Sequence, residues 1–424
     1  MTAKPTIAFV GMTHLGLVSA SACAGKGFAT ICLDQDAALI ERLRAGKLPV
    51  VEPDLDTLVR DNGGRQRFTA DAAALGAANV IFIAPDVPTD DHGQSDLAGI
   101  TTIINQVVPH LNPAAILVVM CQVPPGFTRG VSFPKSRLYY QVETLIFGRA
   151  VERASKPERY IVGCEDPAQS LPDAYSAFLA AHGCPILPMR YESAELAKIS
   201  INMCLVASIS VANTIAEVCE VVGADWSEIV PALKLDRRIG PGAYLAPGLG
   251  IAGGNLERDL ATVIRIGKER GIDTGVVAAW IANSQHRRDW AAREVERLGL
   301  ADKRLAVWGL AYKEDTHSTK NSPSLATLAQ LSRARLVVHD PVISASAVGR
   351  SDIETAADPL AILAGADALL ILTPWQVYRQ ADPNAIAKRL SGKVVLDPYR
   401  VLDPAACRSA GLRWLGLGAP RNEA

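Results

Sequence analysis

At 424 residues the chain is too long for one ordinary core, so two or three domains are expected. Forty-nine per cent apolar residues, with 33 Gly and 26 Pro, indicate a compact globular chain with many tight connections. A formal charge of −1, with Lys and Arg interspersed among Asp and Glu, gives no electrostatic footprint for nucleic acid or an acidic membrane.

The first strand is expected from about Thr6, which leaves no room for a signal peptide. No apolar run reaches membrane-spanning length, so no membrane insertion is expected. The eight cysteines are scattered, without a CxxC pair or a Cys/His cluster. They read as reduced, buried thiols of a soluble cytoplasmic protein, with no metal site.

Ile7–Gly11 is a short apolar run ending in glycine, the pattern of a buried parallel strand. A helix is predicted from about Leu15 to Lys26, and a second strand at Thr30–Asp34. Strand, glycine turn, helix and strand in that order open a Rossmann domain. Further strands are predicted at Val80–Ala84, Ala115–Met120, Tyr160–Gly163 and Pro185–Pro188. From Ser193 to Val222 a long apolar-periodic helix without Pro or Gly replaces this alternation, and helices continue to about residue 297. The strand–glycine pattern restarts at Arg304–Gly309, followed by strands at Leu336–Asp340, Ala368–Leu372 and Lys393–Asp397. The expected fold is α/β: two Rossmann-like doubly wound domains, residues 1–190 and 299–424, joined by an α-helical central domain, residues 191–298.

The turn Gly11-Met12-Thr13-His14-Leu15-Gly16 sits where a GxGxxG fingerprint belongs, with Thr13 in place of the middle glycine. Asp34, at the end of the second strand, is placed to hold a ribose hydroxyl and disfavours a 2′-phosphate, so NAD is expected over NADP. Thr13 can be accommodated by a small shift with its hydroxyl near a phosphate, and His14 reads as a loop residue rather than a catalytic base. A Rossmann-like domain that has lost its dinucleotide is the alternative. Lys198 and Asn202, four residues apart on the long helix, project an ammonium and an amide from one face.

Several segments, in order, resemble the UDP-glucose/GDP-mannose 6-dehydrogenase family over nearly the whole chain. They are Gly46–Pro53, Asp86-Val87-Pro88-Thr89 with Asp96, Glu195–Asn202, Asp236–Gly240, Tyr244–Asp259, Gly309–Lys313 and Ser322-Pro323. The resemblance implies NAD contacts at Gly11, Thr13, His14, Leu15, Gly16, Asp34, Pro88, Thr89, Gln122 and Lys320. It implies that Lys198 stabilises a developing oxyanion, that Asn202 holds water or the sugar oxygen, and that Asp259 and Glu143 handle protons. Arg238, Tyr244, Leu245, Gly248, Gly250 and Lys313 would contact a nucleotide sugar, and a homodimer would form on the central helix. Residues 299–424 would bind the nucleotide of the sugar donor, and Trp375 reads as packing rather than base stacking.

The departures cluster around the chemistry. Asn255 stands where the family carries the cysteine that traps a sugar aldehyde as a thiohemiacetal, and an amide is not a usable nucleophile at neutral pH. The STVP segment reads Cys121-Gln122-Val123-Pro124, the second glutamate of NPEFLxEG is Phe147, the lysine after the cysteine is Arg258, and the arginine before Ser-Pro is Lys320. Cys121 is either a relocated nucleophile or an inert small apolar residue. Three readings follow: an NAD-dependent nucleotide-sugar dehydrogenase of surface-polysaccharide precursor synthesis that does not use the thiohemiacetal route, an NAD-retaining epimerase or isomerase, or a non-catalytic nucleotide-sugar-binding paralogue.

Overall fold

A computed structural model describes residues 4–88 and 95–421. The sequence-predicted contact residue Thr89 lies outside the described residues. The chain divides into two compact units, Met1–Ile201 and Asn202–Ala424.

The first unit holds eight strands, β1 (Ile7–Val10), β2 (Thr30–Leu33), β3 (Gln66–Thr69), β4 (Val80–Ile83), β5 (Ile116–Val119), β6 (Leu138–Gln141), β7 (Tyr160–Cys164) and β8 (Ile186–Arg190). They form one sheet in the order β3-β2-β1-β4-β5-β6-β7-β8, in which every pair is parallel except β6–β7. The central strands are apolar at every position because both faces are covered. Ile7 and Phe9 face one core with Phe82 and Phe178, while Ala8 and Val10 face another with Ile81, Ile83 and Val119. Each large apolar side chain buried there contributes about 1.5–3 kcal/mol relative to exposure. Helix α1 (His14–Gly25) follows β1 and is buried from His14 to Ala24, which its small side chains permit. A Cβ at Gly16 would lie 1.8 Å from the Gly11 carbonyl oxygen, so only glycine lets α1 meet the strand end this closely.

Helix α2 (Tyr191–Val222) is 32 residues long and begins two residues earlier than predicted. Its most apolar 18-residue window has a mean hydropathy of 1.7, so by length and composition it is able to cross a membrane. That corrects the sequence reading that no segment reaches this length; scattered Ser and Asn break the apolar run, while the Val, Ile, Leu and Ala between them keep its mean high. The helix nevertheless buries Glu195, Asn202, Asn213 and Glu220, four polar side chains bonded to protein groups. On the second unit's part of the helix, Val211, Ile215, Val218 and Val222 form an exposed stripe at spacings of four, three and four.

The second unit continues with α3 (Trp226–Leu235), α4 (Asn255–Arg270), α5 (Gly275–Arg288) and α6 (Trp290–Arg297). Residues 236–254 are not helical, so the helical run expected up to residue 297 is interrupted by one long loop. Strands β9 (Arg304–Trp308), β10 (Arg335–His339), β11 (Glu354–Thr355), β12 (Ala368–Ile371), β13 (Val394–Leu396) and β14 (Arg413–Leu415) form an all-parallel sheet in the order β11-β10-β9-β12-β13-β14. The two sheets share a device. Asp34 after β2 accepts the Met12 N–H at 2.7 Å, and Asp340 after β10 accepts the Leu310 N–H at 2.7 Å. Trp375 donates its indole N–H to the same Asp340 carboxylate at 3.0 Å and is buried, in keeping with the packing role expected for it.

The second unit is tied together at Glu220. Its Oε1 accepts from Arg287 at 2.8 Å and from the Gly418 N–H at 3.1 Å, and its Oε2 accepts from Arg421 at 3.2 Å. Arg287 is fully buried and reaches a second carboxylate, Glu217, at 3.2 Å. Removing one partner of a buried pair costs about 3–5 kcal/mol because the other charge stays behind. Glu220→Ala is therefore expected to lower the urea midpoint of unfolding by an amount equivalent to about 3 kcal/mol. A loss under about 1 kcal/mol would show that Glu217 alone satisfies Arg287.

Candidate active site

The first unit builds its site where the order of the sheet reverses, between the ends of β1 and β4. Gly11 has φ +95°, and a Cβ there would meet the Pro85 backbone nitrogen at 2.8 Å. Thr13 precedes α1 in an extended conformation, and its hydroxyl accepts the Asp86 N–H at 2.9 Å. That bond uses the hydroxyl as an acceptor and ties the end of β4 to the turn. His14 is the first residue of α1, not a loop residue. Its ring is buried, bonded to Glu52 at 2.8 Å and stacked on Phe147 at 4.2 Å between centroids. Of His14 only the backbone N–H faces the turn, and it donates to the Asp86 carboxylate at 3.0 Å. Leu15 is a core side chain, so a cofactor contact from it is restricted to its backbone.

Asp34 accepts the Met12 and Asp36 N–H groups, one on each oxygen. The carboxylate thereby shapes the turn and closes the end of β2. Pro88 is exposed, and Gln122 is half-buried beyond the end of β5. Cys121 is fully buried in the core, which favours the inert reading over a nucleophile. Glu143 pairs with Lys198 at 3.1 Å and takes the Leu145 N–H at 2.8 Å. The sequence reading gave no role to two buried carboxylates that shape this region. Glu195 accepts the Gly126 and Thr128 N–H groups, and burial raises its pKa against those bonds. Glu52 accepts the Gly148 and Ala150 N–H groups as well as the His14 ring. The available signals were Glu195's place at the head of the Glu195–Asn202 segment and Glu52's place in the Gly46–Pro53 segment.

In the second unit, Asn202 donates to Asp259 at 2.5 Å, and both are buried. Asn255 is the first residue of α4 and is exposed, following the glycines at 253 and 254. A helix start favours negative charge, which is the place for a thiolate; an amide gains nothing equivalent there. Tyr312 covers Gly253, and the Lys320 stem covers Gly254 with its Cε 3.3 Å from where a Cβ would be. Lys320 therefore sits at the start of α4 in this unit. The Lys313 ammonium lies 5.8 Å from the Tyr312 ring centroid, within cation–π range.

The loop of residues 236–254 is fixed from below. The Gly248 N–H donates to the buried Asn213 at 2.9 Å, and the Ile251 N–H to Ser284 at 2.7 Å. Gly250, at φ +76°, passes so close to the Ser284 carbonyl that a Cβ would be 2.4 Å from it. One expected substrate contact reads differently in the structure. Leu245 is buried and its carbonyl accepts the Trp226 indole N–H at 2.7 Å, so it anchors the loop. Arg238, which the resemblance would have reach the substrate of a neighbouring subunit, is almost wholly exposed and is bonded to Asp236. Tyr244 is exposed. Among the described residues no group of three His, Cys, Asp or Glu side chains is placed to hold a metal ion.

The turn at Gly11–Gly16, leading from the first strand of a sheet wound in this order, is the seat of a dinucleotide, and the protein is a dinucleotide-dependent enzyme of the α/β class. Residues 5–178, 192–285 and 306–404 match, respectively, the NAD binding domain, the central domain and the UDP binding domain of the UDP-glucose/GDP-mannose dehydrogenase family. The chain belongs to that family. It is 30% identical to the UDP-glucose 6-dehydrogenase of Pseudomonas aeruginosa over 97% of both chains, and 29% identical to UDP-glucose 6-dehydrogenase TuaD of Bacillus subtilis over 98% of this chain and 93% of that one. The structure of a UDP-glucose dehydrogenase from Pyrobaculum islandicum superposes with a TM-score of 0.85 at 28% identity, covering 99% of this chain and 98% of the other. The protein is an NAD-dependent oxidoreductase that acts on the CH–OH group of a nucleotide sugar.

Gly11, Gly16 and Asp34 are the residues that would hold NAD, which when bound would supply the hydride acceptor. Asp34→Ser removes the carboxylate that opposes a 2′-phosphate and also frees the Met12 N–H. The ratio of NAD to NADP affinity is expected to fall at least about tenfold, measured by titration of each reduced dinucleotide. An unchanged ratio would remove Asp34 from cofactor selection.

Proposed function

We propose that the chain oxidises a carbinol of a UDP-sugar with NAD and releases the first carbonyl product without forming a covalent adduct to the enzyme. The observation that carries this is Asn255 at the first position of α4, where the family carries its thiolate. The UDP-sugar assignment draws on the match of residues 306–404 and on the named activities of the relatives. In this reading the carbon gives its hydride to NAD and the hydroxyl gives its proton to solvent through carboxylates. Lys198, held by Glu143, supplies positive charge to the developing oxyanion; Asn202 and Asp259, bonded to each other, hold and deprotonate water. Residues 1–190 serve the cofactor, 191–298 the sugar and the subunit contact, and 299–424 the nucleotide. Eight free thiols suit a reducing cytoplasm.

Single-turnover mixing with NAD and a panel of UDP- and GDP-sugars tests the stoichiometry, with NADH followed by absorbance and product by mass. One NADH per sugar with a carbonyl product is expected, and Asn255→Cys should shift the product toward the carboxylate. Two NADH from the unmodified protein would defeat the reading. An isomeric sugar with no net NADH would establish an epimerase, and binding without conversion a non-catalytic paralogue.

We further propose a homodimer through the exposed Val211, Ile215, Val218 and Val222 stripe of α2. An apolar helix face at heptad spacing is suited to pair with a second copy. Ile215→Glu with Val218→Glu is expected to halve the mass in light scattering while leaving helix content intact; an unchanged mass would place the dimer contact elsewhere.

A further inference from the structure

The dinucleotide turn carries two carboxylates, and only one has a place in cofactor recognition. Asp34 takes the Met12 N–H and closes β2. Asp86 takes the His14 N–H at 3.0 Å, at the first residue of the twelve-residue helix α1. The bond is reciprocated by its own backbone, whose N–H donates to the Thr13 hydroxyl at 2.9 Å. Asp86 and Thr13 thus form a clasp across the ends of β4 and β1, over a turn that Gly11 already presses against Pro85.

In a dinucleotide fold the pyrophosphate sits at the N-terminus of this helix, because free N–H groups and the helix dipole favour an anion there. Asp86 is an anion in that place. Its side chain is exposed, so it can turn away, but doing so costs the His14 bond and leaves a negative charge beside an incoming doubly charged group. Thr13 strengthens the arrangement, since a glycine at that position would offer no hydroxyl to hold the Asp86 backbone.

We infer that Asp86 is a built-in competitor of the NAD pyrophosphate, a residue that sets cofactor affinity by occupying the helix N-terminus until the dinucleotide displaces it. The inference rests on the dinucleotide assignment of residues 5–178 and adds to it a residue whose charge works against binding. Asp86→Asn keeps an acceptor for the His14 N–H and removes only the charge. Asp86→Gly removes both.

NADH binding to the full chain, followed by fluorescence at low and moderate ionic strength, tests this. Both variants are expected to bind about tenfold tighter than the unmodified protein at low salt, and the Asn variant's advantage should shrink as salt screens the repulsion. A purely structural role for Asp86 would lower thermal stability and affinity together and would show no such salt dependence. Equal or weaker binding by both variants at every salt concentration would overturn the proposal and leave the dinucleotide assignment standing. Absence of NADH binding in all three proteins would overturn both. If the Asn variant is unfolded, the Gly variant carries the same comparison at low salt.

Discussion

Backbone N–H groups left over at the ends of parallel strands are gathered, throughout this chain, by carboxylates. Asp34 and Asp340 do so after the second strand of each sheet, Asp397 takes the Val401 and Leu402 N–H groups after β13, and Glu195, Glu52 and Glu220 do the same for three loops. A charge-assisted bond of this kind contributes about 1.5–3 kcal/mol, and its loss leaves a buried donor unsatisfied. Burial pushes the pKa of Asp397 and Glu195 upward, and the N–H donors oppose that shift. Loops fixed in this way hold their shape before any ligand arrives, which is what a site at the carboxyl ends of strands requires.

The dinucleotide turn shows the cost of the same device. A turn that is to bind pyrophosphate must be rigid and must also keep its N–H groups available. Gly11 and Gly16 secure rigidity by close approach, with no side chain needed. Asp34 secures it by a bond to Met12, ahead of the first residue of α1, and so would leave the helix N-terminus to the pyrophosphate. Asp86 bonds to His14 itself and therefore competes for it. The second sheet avoids the conflict: Asp340 bonds to Leu310 and Ala311 beyond Gly309, and no helix begins directly at that turn.

Much of this architecture is legible in the sequence because strands buried on both faces are apolar at every position. The runs at Ile7, Val80 and Ile116 could be nothing else once glycine turns and helices of the expected length lay between them. The strands that escape notice are β3, β6, β11 and β14. Gln66–Thr69 is an edge strand with polar and charged residues, Glu354–Thr355 is two residues long, and Arg413–Leu415 is short and at an edge, so none carries the doubly buried signature. Leu138–Gln141 is apolar but follows a loop rich in Ser, Pro, Lys and Arg that reads as irregular. Motif position singles out Lys198, Asn202 and Asp259, which pair with Glu143 or with each other, but could not say that Leu245 serves the loop's interior or that Arg238 bonds to Asp236. Those depend on which way a side chain turns in an irregular segment, and irregular segments have no period.

The same distinction applies at Asn255. The scaffold that would present a nucleophile is intact: Gly250 packs on Ser284, the Gly253–Gly254 turn is covered by Tyr312 and Lys320, and a sixteen-residue helix begins at Asn255 with its amide exposed. A helix dipole at that point stabilises a thiolate and would lower the pKa of a cysteine. It does nothing comparable for a neutral amide, whose contribution is limited to hydrogen bonding. Loss of function through general decay would loosen the loop as readily as it would replace one side chain, because close approach and positive φ make the loop's glycines sensitive to substitution. Retention of the close contacts, with the replacements gathered at Asn255 and the positions around the chemistry, is the pattern expected when binding of the sugar nucleotide is still needed and the covalent step is not.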